Sequence, residues 1–158
     1  MTKEQIEQII EQVQSQEKEL TFKHFSNDDA YTLGNIIYDI AKERKLPVTI
    51  EIRKSSQIVY HVALEGTAPD NYMWLERKAR LVNRVHKSSY RVGLELKLND
   101  TTLEKMCELS TMDYAAHGGC FPISIEGTGI IGSVAVSGLE QSEDHKLVIE
   151  GIKKYRAI

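Results

Sequence analysis

The segment from residue 117 to residue 138 constrains the fold of this 158-residue chain more than any other. Two apolar runs rich in β-branched residues, at 121–125 and 130–136, flank a four-residue turn that contains Gly127 and Gly129. This pattern predicts a β-hairpin with a glycine-rich turn. We expect the hairpin to form the centre of a sheet, with its two ends facing one cavity.

Three further strands are predicted. Residues 48–53 and 57–64 form a second hairpin, joined by a short turn at 54–56. Apolar and polar residues alternate strictly from Val48 to Arg53, which predicts one dry face and one wet face. Residues 20–25 predict an edge strand, because Leu20 and Phe22 share one strand face.

Helices are predicted between and around these strands. Thr2-x-x-Gln5 and Ser26-x-x-Asp29 have the form of capping boxes, each followed by an apolar stripe of helical spacing. Further helices are expected after Pro69, after Thr101 and after Ser142. Residues 90–98 fit both a strand, by strict alternation, and a continuation of the preceding helix.

Together these elements predict an α+β fold, a three-layer α-β-α sandwich with a mainly antiparallel sheet of about five strands. The length favours a single domain over residues 1–158. Residues 1–18 form an amphipathic helix that packs on this domain or on a neighbouring subunit.

Composition excludes several classes of protein. The formal net charge of −3 gives no electrostatic preference for nucleic acid or for an anionic membrane. No apolar run is long enough to span a bilayer, and the polar N-terminus is not a signal peptide. Cys107 and Cys120 have no C-x-x-C spacing, so neither a disulfide scaffold nor a zinc site is expected. We expect a cytoplasmic protein.

Two loop segments are candidates for a site. At His117-Gly118-Gly119 the glycines let the backbone pass close to a ligand, and the histidine could bind a metal or transfer a proton. The alternative is a tight turn, and no second metal ligand stands at fixed spacing. Ser137-Gly138 precedes the last helix, whose free N–H groups could attract an anion, or could form an ordinary N-cap.

Other polar residues are weaker candidates. Asp144 and His145 are adjacent, so on a helix they point in different directions. A stripe of basic residues (Arg77, Arg80, Arg84 and Lys87) predicts either an anion site or a solvated face that meets acids of another subunit. Trp74, beside that stripe, indicates an interface or a pocket wall.

Four motifs carry a family resemblance: Trp74-x-x-Arg77-Lys78, Ser88-Ser89, Ala116-His117-Gly118-Gly119-x-Phe121-Pro122-Ile123, and Val136-Ser137-Gly138-Leu139-x-Gln141-x-x-Asp144-His145. They resemble the haem-degrading, GlcG/HbpS-like superfamily, and within it an uncharacterised intracellular branch. The resemblance implies a profilin-like sandwich, assembly into dimers or larger rings, and a helix through Ser88. It also implies haem as a possible cofactor, although no haem-specific motif is present.

Three functional hypotheses follow. The first is a cytoplasmic homo-oligomer that binds a small or planar anionic ligand, with these predicted site residues: Trp74, Arg77, Lys78, His117, Gly118, Gly119, Ser137, Gly138 and His145. In it, His117 or His145 supplies the imidazole and Trp74 the stacking surface. The second is a non-catalytic assembly module whose motif residues form subunit contacts. The third is an enzyme that acts on a small organic acid and binds its anionic group at the helix start after Gly138.

Overall fold

The computed structural model describes residues 1–158 and contains six helices and four strands. The helices are α1 (Lys3–Glu19), α2 (Asn27–Glu43), α3 (Pro69–Val85), α4 (Ser89–Leu98), α5 (Leu103–Cys107) and α6 (Gln141–Arg156). The strands are β1 (Thr49–Lys54), β2 (Gln57–Ala63), β3 (Cys120–Ile125) and β4 (Gly129–Ser137). No helix is both long and apolar enough to cross a membrane.

The four strands form one antiparallel sheet in the order β2-β1-β4-β3. Both predicted hairpins are present, as β1–β2 and β3–β4. Of the C-terminal hairpin, β4 lies inside the sheet, whereas β3 forms an edge, so only half of that unit is central. Its two ends do meet, because the Val136 N–H donates to the Gly119 carbonyl at 2.8 Å.

The predicted fifth strand at 20–25 is wrong. Only Phe22 pairs with the sheet, through a single parallel bridge to Ile125. Between α1, which ends at Glu19, and α2, which begins at Asn27, the chain makes two backbone hydrogen bonds to the β3 hairpin, both through Phe22. The apolar side chains of this connection, including Leu20 and Phe25, are instead buried in the main core.

The main core lies on the face of the sheet that α2 and α6 cover. Ile50 and Ile52 of β1 pack there with Phe121, Leu33 and Ile152. This face is the dry face that the alternation in β1 predicts, and it confirms that part of the prediction.

The opposite face of the sheet is buried as well, so the predicted wet face of β1 is wrong. Helix α3 packs over it, with Leu75, Ala79 and Val82 against Cys120 and Ala135. The polar residues of β1 lie under this layer: Thr49 and Glu51 are each 1% exposed and Arg53 8%. Sequence alternation identifies two chemically different faces, but it does not reveal that a helix covers the polar one.

Residues 89–98 form a helix and not a strand. The implied helix through Ser88 is wrong in its start, because α3 ends at Val85 and Ser88 is the N-cap of a separate helix, α4. The alternation arises because α4 is buried on two sides. Tyr90 and Leu94 pack against α1, whereas Val92 and Leu96 pack in a separate cluster with Leu81. Buried residues on two sides of one helix therefore mimic the period of a strand.

Helix α1 packs on its own chain. Its buried residues Ile6, Ile10 and Val13 contact Tyr90 and Leu94 of α4. Thr2 and Gln5 form the predicted capping box at its start. At its other end, the Glu17 carboxylate accepts from Arg91 Nη1 at 2.7 Å and from the Ser88 N–H at 2.8 Å.

Candidate functional site

A cavity of about 310 Å³ lies where β4 leaves the sheet and the chain turns into α6. Helix α3 forms one wall and the loop before β3 another. Its lining residues are Asn71, Trp74, Lys78, His117, Ser137, Gly138, Leu139, Gln141 and Asp144. Five of the nine residues predicted from the sequence therefore border one cavity.

The Gly118-Gly119 pair lies beside this cavity. The Gly118 N–H donates to Gln141 Oε1 at 3.0 Å, which joins the loop to the start of α6. Gly119 has φ +125°, and a Cβ there would lie 2.4 Å from the Val136 carbonyl oxygen and 2.8 Å from Lys78 Nζ. Only glycine allows this backbone and the Lys78 ammonium to approach so closely.

Lys78 is the buried cation of the site, with 3% of its surface exposed. Its ammonium donates to Asp144 Oδ2 and to the Val136 carbonyl, both at 3.3 Å. Burial lowers the pKa of Lys78, and the attraction of Asp144 opposes this change. Because each charge is buried beside the other, loss of either partner would leave the remaining charge uncompensated, so the pair forms a single unit.

Asp144 is the buried anion of the site. It also accepts hydrogen bonds from the Leu139 N–H at 2.9 Å and from the Gly138 N–H at 3.4 Å. Burial raises the pKa of Asp144 to about 6, although Lys78 and these N–H groups favour the charged form. The carboxylate of Asp144 therefore takes up a proton at a pH only slightly below neutral.

The backbone N–H groups before α6, which the sequence predicts as an anion-binding site, therefore already donate to the Asp144 carboxylate. The N-cap of α6 is Glu140, which accepts from the Ser142 N–H at 2.9 Å. The ordinary-cap alternative therefore describes this loop, and Asp144 fills the remaining donors.

His117 forms the outer wall together with Trp74, with the two rings edge to face at a centroid distance of 5.1 Å. Burial, Lys78 and Arg77 lower the pKa of His117, so the ring is neutral at pH 7. Arg77 itself does not line the cavity. Its guanidinium lies 4.1 Å from the centroid of the Trp74 ring and donates to the Thr111 carbonyl at 3.0 Å.

His145 points away from Asp144, as their adjacency predicts. It borders a second cavity of about 590 Å³ between α1, α4 and α6. Its Nε2 donates to Gln16 Oε1 at 2.8 Å, and its buried Nδ1 has no partner. Burial lowers the pKa of His145 to about 4, which keeps the ring neutral. His117 and Gln141 border both cavities.

The predicted set of site residues omits four that line the cavity: Asn71, Leu139, Gln141 and Asp144. The last three stand in the family motif, and Asp144 was a weaker candidate. One signal indicates that Lys78 has a carboxylate partner. Lys78 stands on the buried stripe of α3, three residues after Leu75 and four before Val82. A lysine in that position requires a carboxylate partner. No group of three or more histidine, cysteine or acidic side chains could hold a metal ion.

These features define a class of protein: an α+β sandwich with a polar pocket between α3, β4 and α6. Residues 25–153 match the model of a protein family that is described as "Haem degrading protein HbpS-like". The chain belongs to this HbpS-like family, and α1 precedes the matched region.

The chain is also similar in sequence to UPF0303 proteins. A UPF0303 protein of Streptomyces avermitilis is 45% identical over 146 residues, which cover 92% of this chain and 90% of that protein. A UPF0303 protein of Acidobacterium capsulatum is 46% identical over 140 residues, covering 89% of this chain and 85% of that protein.

Solved structures share the fold. The crystal structure of Ybr137w protein is 27% identical, with a TM-score of 0.86, and the match covers 94% of this chain and 87% of that chain. HbpS is 15% identical, with a TM-score of 0.67 and coverages of 85% and 92%. A PduOC:heme complex, also 15% identical, has a TM-score of 0.70 and coverages of 82% and 93%.

Proposed function

We propose that the chain binds a small, oxygen-rich anion, such as an organic acid, in the 310 Å³ cavity. The observation that carries this proposal is the excess of hydrogen-bond donors on its walls. Asn71 and Gln141 each use their amide oxygen inside the protein, on the Ala68 N–H and the Gly118 N–H. Their amide NH₂ groups remain as donors.

Lys78 and Ser137 add further donors. The ammonium has three N–H bonds, of which two serve Val136 and Asp144. The hydroxyl of Ser137 and the imidazole of His117 complete the set. The only carboxylate, Asp144, already accepts three hydrogen bonds. Carboxylate, carbonyl and hydroxyl oxygens of a ligand would satisfy these donors, whereas an amine would meet few acceptors.

The size of the cavity points to a small molecule. Ligand pockets commonly measure about 300–1,000 Å³, and this one, at about 310 Å³, is at the lower end. Only Trp74 and Leu139 are apolar among its lining residues. The polar walls do not fit the apolar macrocycle of haem, so we assign haem no role in this cavity.

Binding is tested by calorimetry with a panel of small mono- and dicarboxylates and the matching amides. We expect a carboxylate to bind and its amide to bind more weakly. Ser137→Ala should weaken binding about 3- to 10-fold, the range for one lost hydrogen bond. The matched control is Ser133→Ala, a buried serine four residues earlier on β4 that does not line the cavity. Equal affinities in both variants, or no binding of any carboxylate, would refute the proposal.

His117→Phe tests the imidazole separately. The ring of phenylalanine keeps the edge contact with Trp74 while removing both ring nitrogens. We expect weaker carboxylate binding with an unchanged melting temperature. Unaltered affinity would remove His117 from the site.

A second candidate function is assembly through the Trp74 surface. Two exposed methionines stand next in the chain to this stacked Arg77–Trp74 pair and its contacts. Met73, 50% exposed, precedes Trp74, and Met112, 85% exposed, follows Thr111, whose carbonyl accepts from Arg77. Exposed apolar groups around an aromatic–arginine pair are typical of interfaces. On this proposal the chain is a homo-oligomer, a dimer or a larger ring, held by this surface.

Sizing chromatography of Arg77→Glu tests the assembly proposal. We expect this variant to elute as a smaller species than the native chain. Arg84→Glu is the control, because it makes the same charge change at an exposed position of the same helix. A native chain that already elutes as a monomer contradicts this function.

Haem remains a candidate for the larger cavity alone. The related PduOC fold is described in complex with heme. Ile9, Val13 and Leu94 give the 590 Å³ cavity apolar walls, with Lys97 and Lys146 nearby for carboxylates. A haem titration followed by its absorption band, with His117→Ala alongside the native chain, tests this. Identical weak spectra would end the haem hypothesis.

A further inference from the structure

We infer that Asp144 is the specificity-determining residue of the 310 Å³ cavity, because its carboxylate occupies the position that an anionic ligand group would take. This inference rests on the proposed function of binding an organic acid. Asp144 lowers the affinity of the cavity for anions, because the ligand anion competes with the Asp144 carboxylate for the same donors.

The geometry resembles a bound carboxylate. One oxygen of Asp144 accepts from the Leu139 N–H at 2.9 Å, and the other from the Gly138 N–H at 3.4 Å and from Lys78 Nζ at 3.3 Å. Two successive backbone N–H groups and a buried ammonium are the donors with which proteins bind anions. Asp144 is 2% exposed, so it takes these donors out of water and holds them.

The Lys78–Asp144 pair leaves the cavity without net charge. Lys78 and Asp144 cancel each other, and His117 is neutral at pH 7, so an anionic ligand meets no net positive charge. It also meets a buried carboxylate nearby, and like charges in a poorly solvated site repel strongly. Removal of the charge on Asp144 leaves Lys78 without its internal counter-ion, so the ammonium can pair with the ligand anion instead.

Protonation of Asp144 would have the same effect as its substitution. The side chains that line the cavity with it are Lys78 from α3, His117 from the loop before β3, and the uncharged Ser137 of β4, and of these Lys78 contacts it directly. Cys120 of β3 lies close to Lys78, and burial raises the pKa of its thiol to about 12, so it stays neutral. Because burial raises the pKa of Asp144 to about 6, its charge is lost as the pH falls through that value. Anion affinity should therefore increase on acidification.

Sulfate is the probe of choice, because its charge does not change between about pH 5.5 and pH 7.5. If only the protonated form of Asp144 admits the anion, apparent affinity follows the protonated fraction. For a pKa of about 6, that fraction rises roughly 25-fold from about pH 7.5 to about pH 5.5. We expect the native chain to show this increase in calorimetric titrations.

Asp144→Asn tests the inference directly. At about pH 7.5 we expect it to bind sulfate about tenfold or more tightly than the native chain, with a much smaller change on acidification. His117→Phe is the control for the second titrating group, and in it the native pH dependence should persist. The double variant Lys78→Met with Asp144→Asn removes both charges, and should lose the gain in affinity.

The outcomes separate this inference from the proposed function. If the native chain binds a carboxylate but Asp144→Asn binds sulfate no more tightly, the inference fails and the proposed function stands. If neither protein binds any anion, both fail. A pH dependence of equal size in Asp144→Asn would assign the titration to His117 and would also overturn the inference. Thermal melts of each variant establish that it is folded before these comparisons are made.

Discussion

Gly119→Ala offers the sharpest test of how the cavity is built. Gly119 has φ +125°, a conformation that alanine adopts only with strain. Such backbone strain costs about 1–3 kcal/mol. The added Cβ would also lie 2.4 Å from the Val136 carbonyl oxygen, which is fixed backbone of a central strand. Overpacking of this kind costs about a further 1–3 kcal/mol.

Gly129→Ala is the matched control. Gly129 has φ +109°, but nothing lies within 4 Å of the position that its Cβ would take. The variant therefore carries the backbone strain of about 1–3 kcal/mol without the contacts. We expect Gly119→Ala to lose about 2 kcal/mol more than the control.

Urea denaturation measures this difference. With a slope of about 2 kcal/mol per molar urea, the midpoint of Gly119→Ala should lie about 1 M below that of Gly129→Ala. Equal midpoints would refute the reasoning. They would mean that the backbone conformation alone requires glycine, and that the close approach of Lys78 and Val136 to Gly119 does not restrict the position.

Two further predictions concern ion pairs away from the cavity. Glu51→Gln leaves Arg53 buried without its carboxylate, so we expect a loss of about 3–5 kcal/mol in urea denaturation. Arg44→Gln breaks a solvent-exposed pair and should cost no more than about 1 kcal/mol; similar losses in both would contradict the role of burial. Arg91→Met removes the ion pair with Glu17 and should speed amide hydrogen exchange across α1, whereas unchanged exchange would show that apolar packing alone holds this helix.

The sequence correctly predicted those helix starts and turns that depend on residues close together in the chain. The capping boxes at Thr2 and Ser26 and the glycine turn before β4 are confirmed. The prediction of a strand at residues 20–25 failed, and the spacing of residues 90–98 left strand and helix open, because distant packing decides both. Residues 20–25 have the composition of a strand but lie in a short connection between two helices. The alternation in residues 90–98 reflects two separate packing partners of one helix.

In the candidate site, too, residues marked by local motifs were predicted, whereas a contact between distant parts of the chain was not. His117, in the loop before β3, and Ser137, at the end of β4, were predicted from the neighbouring glycines and the family motifs, and the fold brings them to one cavity. The partner of Lys78 was not predictable from spacing, because Asp144 lies 66 residues away in the chain. Only the burial of both faces of the sheet explains why an acid in the first turn of α6 points inward instead of into solvent.

The layer between the sheet and α3 gives a reason to place function at this pair. Two oppositely charged pairs are buried there, Glu51 with Arg53 and Lys78 with Asp144. Apolar residues of similar volume commonly stabilise such positions as well as buried ion pairs do. Stability alone therefore does not account for them. The Lys78–Asp144 pair borders a cavity whose walls carry an excess of donors. A charge pair that is costly to bury, and that stands where a ligand could compete for it, supports the proposed function.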